Sequence, residues 1–88
     1  MKVDVQKSFE KDISKIRDKK LAEQIFAVIE ELENCDSLSE IKHLKKMTST
    51  SSYFRIRVGN YRLGFKENKG SIILLRFMHR KDIYEFFP

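Results

Sequence analysis

The chain has one cysteine, one proline, three glycines and no tryptophan among its 88 residues. A single cysteine, Cys35, excludes an intramolecular disulfide and any all-cysteine zinc site. With only His43 and His79 beside it, no structural metal site is expected, nor any cofactor. The proline is the last residue, Pro88, and the glycines are scattered, so no flexible linker divides residues 1–88 and one domain is expected. No apolar run approaches the ~18–20 residues of a membrane span. The opening Met1-Lys2-Val3-Asp4-Val5 lacks the apolar stretch of a signal peptide. The expected location is the cytoplasm, with no membrane partner. Also missing are a Gly-x-Ser-x-Gly elbow and any locally spaced Cys/His pair, so no nucleophilic triad is in prospect.

What the chain does have is charge, unevenly spread. Hydrophobic residues make up 41% and charged residues 35%, the mixture of a folded globular chain. The formal net charge is +5. Residues 1–41 hold seven Lys and Arg against ten Asp and Glu, a balance of −3; residues 42–88 hold eleven against three, a balance of +8. Such asymmetry suits a polyanionic partner, most often nucleic acid, and equally a solvated basic surface.

Apolar spacing divides the chain into elements. Val3 and Val5 alternate with polar neighbours and predict a short first strand. Ser8 is a candidate N-cap for a helix with Phe9, Ile13 and Ile16 on one face. Asp18-Lys19-Lys20 marks a break. Leu21, Ile25, Val28, Ile29 and Leu32 then form the stripe of a second amphipathic helix, paired with the first in a hairpin. Leu38, Ile41 and Leu44 predict a short helical turn, and Met47 to Ser52 a loop or weak strand start. The period then changes to two. Phe54, Ile56 and Val58 alternate with Arg55 and Arg57; after Gly59-Asn60, Tyr61, Leu63 and Phe65 alternate with Arg62, Gly64 and Lys66. A two-residue Gly-Asn loop between alternating runs predicts a β-hairpin. Glu67 to Gly70 is a second turn, and Ser71 to Met78 a further strand, apolar on both faces at Ile72-Ile73-Leu74-Leu75 as a central strand would be. The expected fold is α+β in the order β-α-α-β-β-β, a helical hairpin on a mostly antiparallel four-stranded sheet.

With Gly59-Asn60 as the loop, Arg57 faces Arg62, Arg55 faces Gly64 and Tyr53 faces Lys66. One face of the hairpin is apolar, and the other collects Arg55, Arg57, Arg62 and Lys66. Two arginines directly opposite each other cost up to roughly 1 kcal/mol relative to a favourable pair. Stability alone would not place them there. Arg80 and Arg76 share a parity on the next strand and could join them, Gly64 leaves a gap for a ligand to approach the backbone, and Tyr53 and Tyr84 offer stacking platforms. Nearby carboxylates are limited to Glu67, Asp82 and Glu85, too few to neutralise the cluster. A phosphate-binding surface is the favoured reading. Arginine forks can stabilise a phosphorane without metal, and for RNA the substrate's 2′-OH can serve as nucleophile. His79 and Tyr84 are then the candidate proton-transfer groups.

The run Tyr53-Phe54-Arg55-Ile56-Arg57-Val58-Gly59-Asn60-Tyr61-Arg62-Leu63, followed by Leu75-Arg76-Phe77-Met78-His79-Arg80-Lys81-Asp82-Ile83-Tyr84, resembles the RelE/ParE family of bacterial and archaeal toxins. Leu44-Lys45-Lys46-Met47 and the two early helices extend the likeness over essentially the whole chain. The resemblance implies the toxin of a type II toxin–antitoxin pair, and for a RelE-like member a ribosome-dependent mRNA endonuclease working by 2′-OH attack without metal. It implies that Arg62 and Arg80 bind and stabilise the scissile phosphate, that Tyr84 takes part in proton transfer, and that Arg55 and Arg57 orient the mRNA or steady the transition state. His79 falls at a position that varies among relatives. Lys45, Lys46, Lys66 and Arg76 complete the expected RNA-binding set, and the implied partners are an acidic antitoxin, the ribosome and mRNA. Alternatives are a ParE-like gyrase inhibitor without catalysis, or a member that only binds RNA or antitoxin. The ending Phe86-Phe87-Pro88 implies no C-terminal helix, with those aromatics packed on the core or lining an antitoxin groove.

Overall fold

A computed structural model describes residues 1–48 and 52–87. Strand β1 (Lys2–Val5) leads into helix α1 (Lys7–Ser14) and helix α2 (Lys19–Asn34). A 3₁₀ turn at Leu38–Glu40 precedes strands β2 (Leu44–Lys46), β3 (Tyr53–Val58), β4 (Tyr61–Asn68) and β5 (Ser71–His79), and helix α3 (Arg80–Phe86) follows. The sheet has five strands in the order β1-β5-β4-β3-β2, one more than the alternation predicts. All neighbours are antiparallel except β1, which runs parallel to β5.

The predicted hairpin register is the observed one, from Val58 opposite Tyr61 to Tyr53 opposite Lys66. Gly59 has φ +60, the conformation that a II′ turn requires at its first central position. In β5 the register with β4 shifts between Gly64 and Phe65, so that Arg76 faces Gly64, Leu74 faces Phe65, and Leu75 is the extra residue of a bulge. The bulge reverses the parity of the strand. Ile72 and Leu74 before it and Phe77 after it can therefore all enter the core, at 3% exposure or less.

Helix α1 lies against β5 and α2 against β1 and β3. Phe9, Leu21, Ile25 and Leu32 pack with Ile56, Leu63, Phe65 and Phe77 in one core cluster. Each such side chain contributes roughly 1.5–3 kcal/mol on burial. The caps differ in part from expectation. The Asp18 carboxylate accepts from the Lys20 and Leu21 amides at 2.9 and 3.2 Å and starts α2 at the predicted break. Ser8 is not the cap of α1; Gln6 occupies that position, and the Ser8 hydroxyl donates instead to the Leu75 carbonyl at 2.6 Å.

Two further expectations are corrected. The 3₁₀ turn stops at Glu40, held by a capping box between Ser37 and Glu40, and Leu44 belongs to edge strand β2, paired with Ile56. The tail does form a helix, α3, with Ile83 fully buried and Phe87 6% exposed. It lies on the sheet face opposite α1 and α2, because Phe87 covers Gly64 and Tyr84 covers Arg55. The loop expected over Met47 to Ser52 lies partly outside the described residues, as does Pro88.

Beyond Val5, where β1 ends, α1 takes over the edge of β5. The Asp12 carboxylate accepts from the Phe77 amide at 2.9 Å and from Arg76 Nε at 2.7 Å and Nη2 at 3.2 Å. Removing it strands a half-buried backbone donor and a guanidinium together. Asp12→Ala should destabilise the fold by about 2–3 kcal/mol, read from urea denaturation. Arg76→Ala should cost less, because Asp12 keeps its bond to the Phe77 amide.

Candidate nucleic-acid interface

Strand alternation sends Arg55, Arg57 and Arg62 to the face opposite the helical layer, and the register places Arg57 opposite Arg62. Each guanidinium is hydrogen-bonded to an acceptor that carries no negative charge. Arg57 Nη2 donates to His43 Nδ1 at 2.9 Å, and Arg62 Nη1 donates to the Gly59 and Tyr61 carbonyls at 3.2 and 2.9 Å. Neither bond removes positive charge. Arg57 always donates, so this contact leaves Nδ1 of His43 unprotonated.

Tyr84 closes the site from α3. Its ring lies under Arg55, with 4.5 Å from the guanidinium carbon to the ring centroid, and its hydroxyl accepts from Arg55 Nη2 at 3.3 Å. Tyr84 remains 67% exposed. Together Arg55, Arg57, Arg62, Lys45, His43 and Tyr84 line an open depression of about 260 Å³, with Leu44 at its wall and no carboxylate among its lining residues. Partial burial holds the Arg62 guanidinium below its ordinary range; Tyr84 acts in the opposite sense, and the like charges of Arg55, Arg57 and Arg80 add to the lowering. Arg80, the first residue of α3, is thus close enough for its charge to be felt at Arg62, while its amide donates to the Asn60 carbonyl at 2.9 Å.

Other expected members lie elsewhere. Arg76 shares the parity but is drawn over the β5 edge into its ion pair with Asp12. Lys45 and Lys46 are split by the pleat. Lys45, opposite Arg55, joins the depression; Lys46, opposite Phe54, points to the other face with its ammonium over the Phe54 ring at 5.8 Å. Lys66 lies over Tyr53 at 5.6 Å and does not line the depression, and Tyr53 meets Phe87 edge-on rather than standing open as a platform. The gap at Gly64 is filled by the Phe87 ring. His79 falls on the helical side, where it meets Tyr61 edge-on, and its Nδ1 accepts from the Lys81 amide as the cap of α3. The histidine at the arginine face is His43, in a turn with φ +62 just before β2. It carries no periodic signal, and only the pairing of β2 with β3 brings it there.

Among the described residues, no group of three or more His, Cys, Asp or Glu is placed to hold a metal ion, and no helix is long and apolar enough to cross a membrane.

The fold is shared with a known group. Residues 3–84 match the family model described as ParE toxin of type II toxin–antitoxin system, parDE. The chain therefore belongs to the RelE/ParE family of type II toxins. Within that family it is a toxin of the RelE kind. It is 43% identical over 89 residues to Toxin RelE3 of Methanocaldococcus jannaschii, covering all of both chains. The toxin in the RelB-RelE antitoxin–toxin complex from Methanococcus jannaschii superposes with a TM-score of 0.80 at 39% identity, over 97% of this chain and 99% of that one. The archaeal RelE-RelB complex from Pyrococcus horikoshii gives 0.74 at 22% identity, over 90% and 93%, and shows the shared fold.

The pleat makes a sharp prediction about polyanion binding. Lys45→Ala should weaken binding of a short single-stranded oligoribonucleotide and flatten the plot of log affinity against log salt by about 0.7. Lys46→Ala, on the opposite face, should leave both unchanged in the same salt titration.

Proposed function

We propose that this toxin is a metal-independent endoribonuclease that cuts mRNA on the ribosome. The observation that carries the reading is the Arg57–Arg62 pair, opposed in register and held by neutral acceptors in a pocket without carboxylates. A divalent ion prefers anionic oxygen ligands, and this pocket offers none. It offers guanidinium forks, which match phosphate oxygens and stabilise the added charge of a phosphorane.

In this reading the substrate's 2′-OH attacks the adjacent phosphorus. A 2′-O–P bond forms as the P–5′-O bond breaks, giving a 2′,3′-cyclic phosphate and a free 5′-hydroxyl. The proton lost from the 2′-OH is balanced by one gained at the leaving oxygen. Arg62 and Arg80 hold the non-bridging oxygens, Arg55, Arg57 and Lys45 orient the strand, and Tyr84 is the group through which a proton moves. His43 keeps Arg57 in place. The partner that silences the protein is an acidic antitoxin covering the cationic face, since opposite potentials steer such pairs together; structures of relatives include toxins in complex with RelB.

The test is cell-free translation with added protein, followed by primer extension on the mRNA. Wild type should give discrete, translation-dependent cuts. Arg62→Ala should lose about 10²–10³ in rate while unfolding within a few degrees of wild type, and Arg80→Ala should behave alike. Tyr84→Phe should slow cleavage by about 10²–10⁴ with ribosome binding kept. Intact mRNA at high protein concentration, with loss of gyrase supercoiling in a parallel assay, would replace this reading by the ParE-like one.

A further inference from the structure

Gly64 lies in the middle of β4, between Arg55 of β3 and Arg76 of β5, where no turn calls for a glycine. A Cβ built on it would fall 2.8 Å from Cζ of Phe87 and 2.9 Å from both Cδ atoms. Side chains do not approach one another so closely, so the Phe87 ring occupies the space that any other residue at position 64 would need. The ring is 6% exposed and meets Tyr53 edge-on at 5.9 Å between centroids. The Phe87 amide donates to the Ile83 carbonyl at 2.9 Å, closing the last turn of α3.

Helix α3 has seven residues, too few to hold its position by its own hydrogen bonds. Its place on the sheet must come from anchors, and among the described residues Ile83 and Phe87, four residues apart on one side, are buried. Tyr84 follows Ile83 directly and is exposed; Arg55, its contact in the pocket, is itself a flexible side chain. Among the described residues, Arg55 is the side chain that bonds the Tyr84 hydroxyl.

We propose that the Phe87 ring, seated in the notch left by Gly64, is the latch that sets the position of Tyr84 over the arginine pocket. Gly64 and Phe87 are thus positioning residues that act through Tyr84, and this inference rests on the proton-transfer role given to Tyr84 above. Ordinary core packing by Phe87 would add stability without any link to Tyr84. The latch couples the two. A misplacement of about 1 Å in a reacting group costs around 10²-fold in rate, so even a small displacement of α3 is expressed in cleavage.

The experiment compares Gly64→Ala, Phe87→Ala and the compensating pair Gly64→Ala with Phe87→Leu, each also in a Tyr84→Phe background. Two readouts are taken: mRNA cleavage on translating ribosomes, and amide exchange across α3 in the free protein. Gly64→Ala should lower the cleavage rate by about 10–100-fold, with ribosome binding within about twofold, and should speed exchange of the Phe87 amide while β4 and β5 keep their protection. With Tyr84→Phe already present, the further loss should be about twofold or less, because the group being positioned is gone. The compensating pair should recover several-fold. Full multiplicative loss in the Tyr84→Phe background would overturn the latch, as would unchanged exchange and cleavage in Gly64→Ala. If Gly64→Ala unfolds the sheet, Phe87→Ala, which leaves β4 untouched, decides by the same readouts. If wild type cuts no mRNA, the nuclease reading fails by itself, and α3 exchange still decides whether Phe87 anchors the helix.

Discussion

Two guanidiniums face each other across the β3–β4 hairpin, and their hydrogen-bond partners leave the repulsion between them uncancelled. A fold selecting for stability alone would set a glutamate at one of these positions and gain a cross-strand pair. Here Arg57 leans on an imidazole nitrogen and Arg62 on two carbonyls of its own turn. These acceptors satisfy the donors without cancelling their charge. The local cost is met by the core beneath, where Ile56, Leu63 and Phe65 of the same two strands are at 2% exposure or less. Apolar alternation on one face of the hairpin thereby underwrites repulsion on the other. Positive potential is left uncancelled on this face.

The elements that were legible in the sequence are those whose pattern runs long enough to have a period. The stripe from Leu21 to Leu32, the alternation from Phe54 to Phe65 and the Gly59-Asn60 turn each repeat a signal several times. The opposed arginines followed from that register alone. What escaped is short or non-local. Strand β2 has three residues, too few to distinguish alternation from the end of a helical turn, and so His43 had no place and Lys45 could not be separated from Lys46. The bulge at Leu75 leaves no mark in composition, yet it sets which of Arg76, Phe77 and Met78 turns to the core. Helix α3 was hidden because its anchoring contact spans from Phe87 back to Gly64, and a strand glycine reads equally well as an empty gap.

The arginine cluster shrinks and sharpens between sequence and structure. Parity gathered Arg76 and Lys66 with the rest, but parity names only a face. Arg76 is diverted by a carboxylate 64 positions away in the chain, and Lys66 sits over an aromatic ring beyond the pocket. The cations that remain around the depression are those without an acidic partner there. Competition for each charge, rather than its position on a strand, decides which residues can serve a ligand.

The two-residue turn at Gly59-Asn60 has a consequence for how the chain reaches this state. Side chains on a strand alternate strictly, so pairing β3 with β4 one residue out of step would exchange the faces of one strand against the other. In this hairpin that error drives guanidiniums under α2, into a layer occupied by Ile25, Leu32 and Phe65, where an unpaired charge is costly by several kcal/mol or more. A misaligned hairpin therefore packs poorly against the helices. The residues that give the finished protein its charged face thereby also penalise the misaligned register.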